Sequence, residues 1–158
     1  MRQDFEKAEA PKLPGARVLL VISPYYRDVA DMMQRGAEAV ADEAGVTLDR
    51  VFVPGAFEIP AAIRLARKQY DAFVALGCVV RGETSHYDYV CGESARGLMQ
   101  LSLKGMAIGY GILTVENIAQ AEVRADPARG NKGGEALNAA LSMLALKRRF
   151  AEARDESR

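Results

Sequence analysis

From Arg17 onward, apolar runs alternate with stretches whose apolar positions recur at helical spacing. RVLLVIS (17–23) reads as a buried strand. Val29, Met32, Met33, Ala37, Val40 and Ala44 then follow the i, i+3, i+4 rhythm of an amphipathic helix, with Gly45 placed to stop it. LDRVFVP (48–54) predicts a second strand, AFEIPAAIRLARKQY (56–70) a helix broken near Pro60, and YDAFVALGCVV (70–80) a longer buried strand. SHYDYVCGESARGLMQLSLKG (85–105) predicts a long helix and MAIGYGILTV (106–115) a fourth strand. ENIAQAEVRA (116–125) adds a helical turn or two, and KGGEALNAALSMLALKRRFAEA (132–153) a terminal amphipathic helix.

Four strands, each followed by helix, predict one α/β domain: a three-layer sandwich whose four-stranded parallel sheet is covered on both faces and joined by right-handed crossovers. Such sheets take ligands in the crevice beyond the carboxyl ends of their strands. That rule directs attention to SPYYRD, VPGAFE, VVRGETSH and ILTVEN, which hold nearly all of the unusual residue clusters. Residues 1–16 carry charges and two prolines without sustained periodicity, so they read as an arm, flexible or docked on a neighbouring subunit, ahead of a domain spanning 17–158.

Composition narrows the picture. A chain of 158 residues, 49% of them hydrophobic, can bury one core but has no room for a second domain. Basic and acidic residues number 21 each, which gives no sign of the concentrated positive surface that nucleic acid requires. No apolar run approaches the roughly 20 residues of a membrane span, and the first residues lack a signal peptide's apolar stretch, so the expected location is the cytoplasm. Cys78 and Cys91 have neither metal-site spacing nor the density of a disulfide framework.

His86 is the only histidine, the residue type suited to moving protons near neutral pH. It follows RGETS at a strand-to-helix transition, where Gly82 permits unusual backbone angles and helix-start amides attract anions. Thr84 and Ser85 serve equally well as plain helix caps there, and Glu83 opposes an anion, so an anion site needs a cation nearby. Arg124 and Lys132, around ADPARGNKGG, are the candidates, the guanidinium being the better match to phosphate, although both also read as a solvated basic surface. In VPGAFEIP, a glycine, Ala56, Phe57 and Glu58 sit at a strand end. Tyr25 and Tyr26 offer rings for stacking on a planar heterocycle or for ordinary packing.

In order and spacing, VPGAFEIP, LGCVVRGETSHYDYV, GYGILTVEN and AEVRADPARGNKGG resemble the lumazine synthase family, from about Arg17 to Phe150. The resemblance implies a flavodoxin-like sheet. It also implies condensation of 5-amino-6-(D-ribitylamino)pyrimidine-2,4-dione with 3,4-dihydroxy-2-butanone 4-phosphate to 6,7-dimethyl-8-ribityllumazine, the penultimate step of riboflavin biosynthesis, with no metal and no redox cofactor. By motif, Tyr25 stands where a ring stacks on the pyrimidine, Ala56, Phe57 and Glu58 where the ribityl-bearing substrate is held, and Cys78, Val79 and Val80 where backbone reads the heterocycle. Glu83, Thr84 and Arg124 match the phosphate site, His86 the proton-transfer residue, and Tyr110 an aromatic contributed across a subunit boundary of a homopentamer. Lys132 falls in the matching GNKG stretch. Tyr25 and Tyr110 replace phenylalanines of the family pattern, Glu83 replaces a small residue, and Pro24 also departs from it.

Three other readings compete: a flavin or lumazine carrier without catalysis, a structural shell protein, and a nicotinamide dehydrogenase. Retention of His86, Arg124 and Thr84 weighs against the carrier, turnover discriminates the shell, and SPYYRD in place of G-x-G-x-x-G weighs against the dehydrogenase.

Overall fold

The computed structural model of the chain describes residues 9–156, so residues 1–8 of the expected arm lie outside the described residues. Strand β1 (Arg17–Ile22) leads to helix α1 (Arg27–Ala44), strand β2 (Thr47–Phe52), a short 3-10 turn (Ala56–Glu58) and helix α2 (Ile59–Ala66). Strand β3 (Ala72–Val80), helix α3 (His86–Leu103), strand β4 (Ala107–Val115) and helices α4 (Ile118–Ala125) and α5 (Lys132–Glu156) follow. All strands are parallel in the order β2-β1-β3-β4. This is the expected three-layer α/β sandwich, with the strand order of flavodoxin-like sheets.

The alternation of side chains along β1 and β3 divides the core in two. Val18, Leu20 and Ile22 of β1, with Val74 and Leu76 of β3, pack under α1, α4 and α5. Leu19 and Val21, with Phe73 and Ala75, point the other way and pack against Ile59 and Ile63 of α2 and Leu98 and Leu101 of α3. Strand β2 is one of the two edge strands and is largely exposed, which suits the charges in its TLDRVF sequence.

Several boundaries differ from the periodicity. Strand β2 starts at Thr47, where it pairs with Arg17, and ends at Phe52, because the chain must turn before Pro54. Pro60 does not break a helix; it lies in the first turn of α2, where a missing backbone N–H costs nothing. Gly45 does stop α1, in the left-handed conformation with φ 73°, and its N–H returns to the α1 carbonyls. Residues ahead of β1 run beside this cap: the Leu13 amide donates to the Ala44 carbonyl at 3.0 Å, and Leu13 packs on the core.

Helix α5 lies unusually close to its neighbours. A Cβ added at Gly109 of β4 would land on the backbone carbonyl of Ala136, and one at Gly133 on the carbonyl of Met33 in α1. Backbone cannot retreat as a flexible side chain does. No helix among the described residues is long and apolar enough to cross a membrane.

Gly109→Ala should therefore destabilise the protein by about 1–3 kcal/mol through overpacking, read as an earlier midpoint in urea unfolding. An unchanged midpoint would show that α5 can shift away from β4.

Candidate active site

The cleft lies where the strand order reverses, between β1 and β3, at their carboxyl ends. Its volume is about 620 Å³. The Ser23 amide donates to the Leu76 carbonyl at 2.9 Å, carrying the β1–β3 ladder one residue further and burying Ser23 at the cleft floor. Just beyond, the chain turns outward. Tyr25 stands 75% exposed over the cleft, its ring edge-on to that of Tyr26 at 5.0 Å between centroids. Tyr26 is better anchored, being partly packed on the core.

The second wall is the turn after β2. Ala56 is buried, while Phe57 and Glu58 project into the cleft. The third wall is the end of β3, with Cys78 buried and Val79 and Val80 half-buried. Burial pushes the Cys78 thiol up to about 11, so this group stays neutral at physiological pH.

The start of α3 closes the cleft with Gly82, Thr84, His86 and Tyr87. Ser85 occupies the cap position without a side-chain hydrogen bond, and Thr84 Oγ1 accepts only a long 3.4 Å contact from the His86 amide. Neither residue is a strong helix cap, which leaves the positive end of the helix dipole turned to solvent. Gly82 does not use the backbone freedom expected of it, since the left-handed glycines among the described residues are Gly15, Gly45 and Gly105.

Of the predicted residues, Tyr25, Ala56, Phe57, Glu58, Cys78, Val79, Val80, Thr84 and His86 all line this one cleft. Glu83 is exposed and does not line it. Tyr110 and Arg124 are elsewhere, in a second hollow of about 410 Å³ that also includes Lys132 and Glu135. Arg124 is exposed and donates to the Gln120 carbonyl of its own helix at 3.0 Å, while Lys132 pairs with Glu135 at 2.6 Å. Among the described residues, no lysine or arginine lines the first cleft. Arg81, adjacent in sequence to the α3 turn, does not line the cleft either; its guanidinium pairs with Glu116 and with Asp88 in the first turn of α3.

Ser23, Tyr87 and Val90 also line the cleft and were not singled out from sequence. Ser23 carried a usable signal, as the first polar residue after a buried run. Tyr87 and Val90 had none, because the helical face turned to the cleft depends on how α3 packs.

This geometry coincides with matches to known proteins. The family model described as 6,7-dimethyl-8-ribityllumazine synthase matches residues 15–148. The chain belongs to this family. A 6,7-dimethyl-8-ribityllumazine synthase of Novosphingobium aromaticivorans is 54% identical over 137 residues, covering 85% of this chain and 99% of that protein. Those of Zymomonas mobilis, 53% identical over 85% of this chain and 99% of that protein, and Azorhizobium caulinodans, 52% identical over 94% and 96%, are similar in extent. The chain is thus a lumazine synthase-type transferase of riboflavin biosynthesis.

With its thiol held neutral, Cys78 should react with iodoacetamide at about pH 8 roughly a hundredfold more slowly than free cysteine. Peptide mass spectrometry reads the modification directly. Labelling at the free-thiol rate would contradict the burial of this strand end.

Proposed function

We propose that the condensation occurs in the β1–β3 cleft, with a neighbouring copy of the chain completing each site. The observation that carries this reading is a mismatch of charge. Among the described residues the cleft gathers a stacking ring, a carboxylate, a polar strand end, a hydroxyl and the histidine, but no lysine or arginine, while Arg124 and Tyr110 share a hollow of their own. A phosphorylated ketone at the α3 turn needs a cation, and Arg124 of an adjacent copy supplies it.

In this arrangement the pyrimidine stacks on Tyr25, the backbone of Cys78, Val79 and Val80 reads its polar edge, and Ala56, Phe57 and Glu58 hold the ribityl chain. The ketone's phosphate sits at the amides beginning α3, beside Thr84. Glu83 contributes through its backbone amide, with its exposed carboxylate turned to solvent. The substrate's aryl amine attacks the ketone and loses water to form an imine; loss of a proton expels phosphate, and tautomerisation leaves a second carbonyl, which the ribitylamino nitrogen attacks with loss of a second water to close the ring. His86 moves the protons. Fixing both partners contributes the larger share, about 7–11 kcal/mol in favourable cases, because a bimolecular encounter becomes a positioned one.

Closed cyclic assembly gives every copy the same neighbour, so a homopentamer or a multiple of it, in the cytoplasm, is the state in which all sites are complete.

Purified protein supplied with both substrates, and with no added metal or nicotinamide, should form product visible by lumazine absorbance and fluorescence. Absence of product from assembled protein would overturn the reading. His86→Ala should lower turnover by about 10²–10⁴-fold yet leave measurable activity, since positioning survives. An unchanged single-turnover rate would return His86 to a structural role.

Arg124→Ala should chiefly raise KM for the phosphorylated ketone. At ketone concentrations well below the KM of Arg124→Ala, coexpressing Arg124→Ala with His86→Ala chains should restore activity to about a quarter of the parent's, because random assembly pairs an intact His86 with a neighbour's intact Arg124 in that share of sites. No gain over the single variants, or a fully active monomer in sedimentation, would refute the shared site.

A further inference from the structure

We propose that Arg81 is a positioning residue: it clamps the turn carrying Thr84 and His86 to the end of β4, and so sets the site for the phosphorylated ketone. The inference rests on the proposed role of that turn. Arg81 is the first residue beyond β3, and its amide donates to the Val115 carbonyl at 2.9 Å, adding one rung to the β3–β4 ladder. Its Nε donates to both carboxylate oxygens of Glu116, at 3.1 and 2.9 Å. Nη1 lies 3.5 Å from Asp88 in the first turn of α3. The guanidinium carbon sits 4.2 Å from the centroid of the Tyr87 ring.

One side chain therefore ties both ends of the segment 81–88 to a single point just beyond the end of β4. That point is itself held, since the Glu116 amide donates to Gln120 Oε1 at 2.8 Å, and the Gln120 amide in turn donates to Asn117 Oδ1 at 3.0 Å. Asn117 is thus the N-cap of α4, and Gln120 reaches back one residue beyond it to hold the Glu116 amide. Thr84 and His86 occupy the loop between the two tied ends, and neither is gripped by a short side-chain bond of its own.

The same contacts explain why Arg81 is not the phosphate's cation. Its charge is met by two carboxylates, and its planar face is taken up by Tyr87. At 44% side-chain exposure, simple attraction between these charges is screened by water. What remains is shape: a planar fork that hydrogen-bonds along one edge while its face packs on a ring. Lysine offers neither feature.

The test compares Arg81→Ala, Arg81→Lys and Glu116→Gln in the assembled enzyme by steady-state kinetics. Arg81→Ala should raise KM for the phosphorylated ketone about five- to tenfold while leaving KM for the pyrimidine within about twofold. Arg81→Lys should fail to restore it. Glu116→Gln should reproduce part of the effect, and the Arg81→Ala/Glu116→Gln double variant should be no worse than Arg81→Ala alone. An unchanged ketone KM, an equal rise in both KM values, or full rescue by lysine would each overturn the clamp.

Amide hydrogen exchange of residues 84–87 gives a readout independent of turnover, with faster exchange expected in Arg81→Ala and Arg81→Lys than in the parent. If the parent makes no lumazine, the functional reading fails, and unchanged exchange would separately sink the clamp. Should Arg81→Ala not assemble, Arg81→Lys and Glu116→Gln carry the same comparison.

Discussion

The architecture depends on how closely the backbone of α5 packs against β4 and α1. At Gly109 and Gly133 the facing atoms are main-chain carbonyls, so hydrogen is the only substituent that fits. That contact seats α5 across one face of the sheet and completes the larger of the two core layers. It also fixes where the preceding segment must run. The turn after α4 packs so tightly that a Cβ at Gly130 would meet the backbone of Arg124. The position of Arg124 follows from that packing, while Tyr110, alternating with Gly109 and Gly111, turns to the opposite side of β4, so the second hollow lies along the β4 edge of the sheet.

The strand ends and the β4 edge divide the chemistry. At the crevice between β1 and β3, three loops bring together aromatic, carboxylate, hydroxyl and imidazole groups around a helix start. Beside β4, Tyr110 and Arg124 share a separate concavity. A parallel sheet makes such a division easy, because its strand ends are stable platforms whose loops carry little of the fold's own burden. Among the described residues no lysine or arginine lines the first cleft, which is why the proposed phosphate site takes its cation from a neighbouring copy. Arg81, the nearest cation in sequence, is spent on Glu116, Asp88 and Tyr87, where it orders the turn.

Much of this was legible in the sequence because its signal was local. Strands β1 and β3 are nearly continuous apolar runs, and both appear within two residues of where periodicity puts them. Gly45 ends α1 because only glycine takes φ 73° without strain. Pro60 misled for an equally local reason: proline is a breaker inside a helix and a favoured residue in its first turn, and pattern alone does not say which turn it occupies. The cleft's loops were marked by their unusual residues, and nine of the predicted side chains do meet there.

By itself the sequence determined the alternation of strands and helices, the parallel sheet, the family and the set of loops at the strand ends. Each of these is written in spacing or in an ordered motif. Only the tertiary structure decided that Glu83 lies outside the cleft, that Ser23, Tyr87 and Val90 line it, and that Arg124 sits with Tyr110 rather than with Thr84. It alone showed Arg81 bound to Glu116, 35 residues away. The reason is that periodicity records which face of an element is buried, whereas the meeting of side chains from different elements depends on strand order, helix rotation and how closely backbones approach.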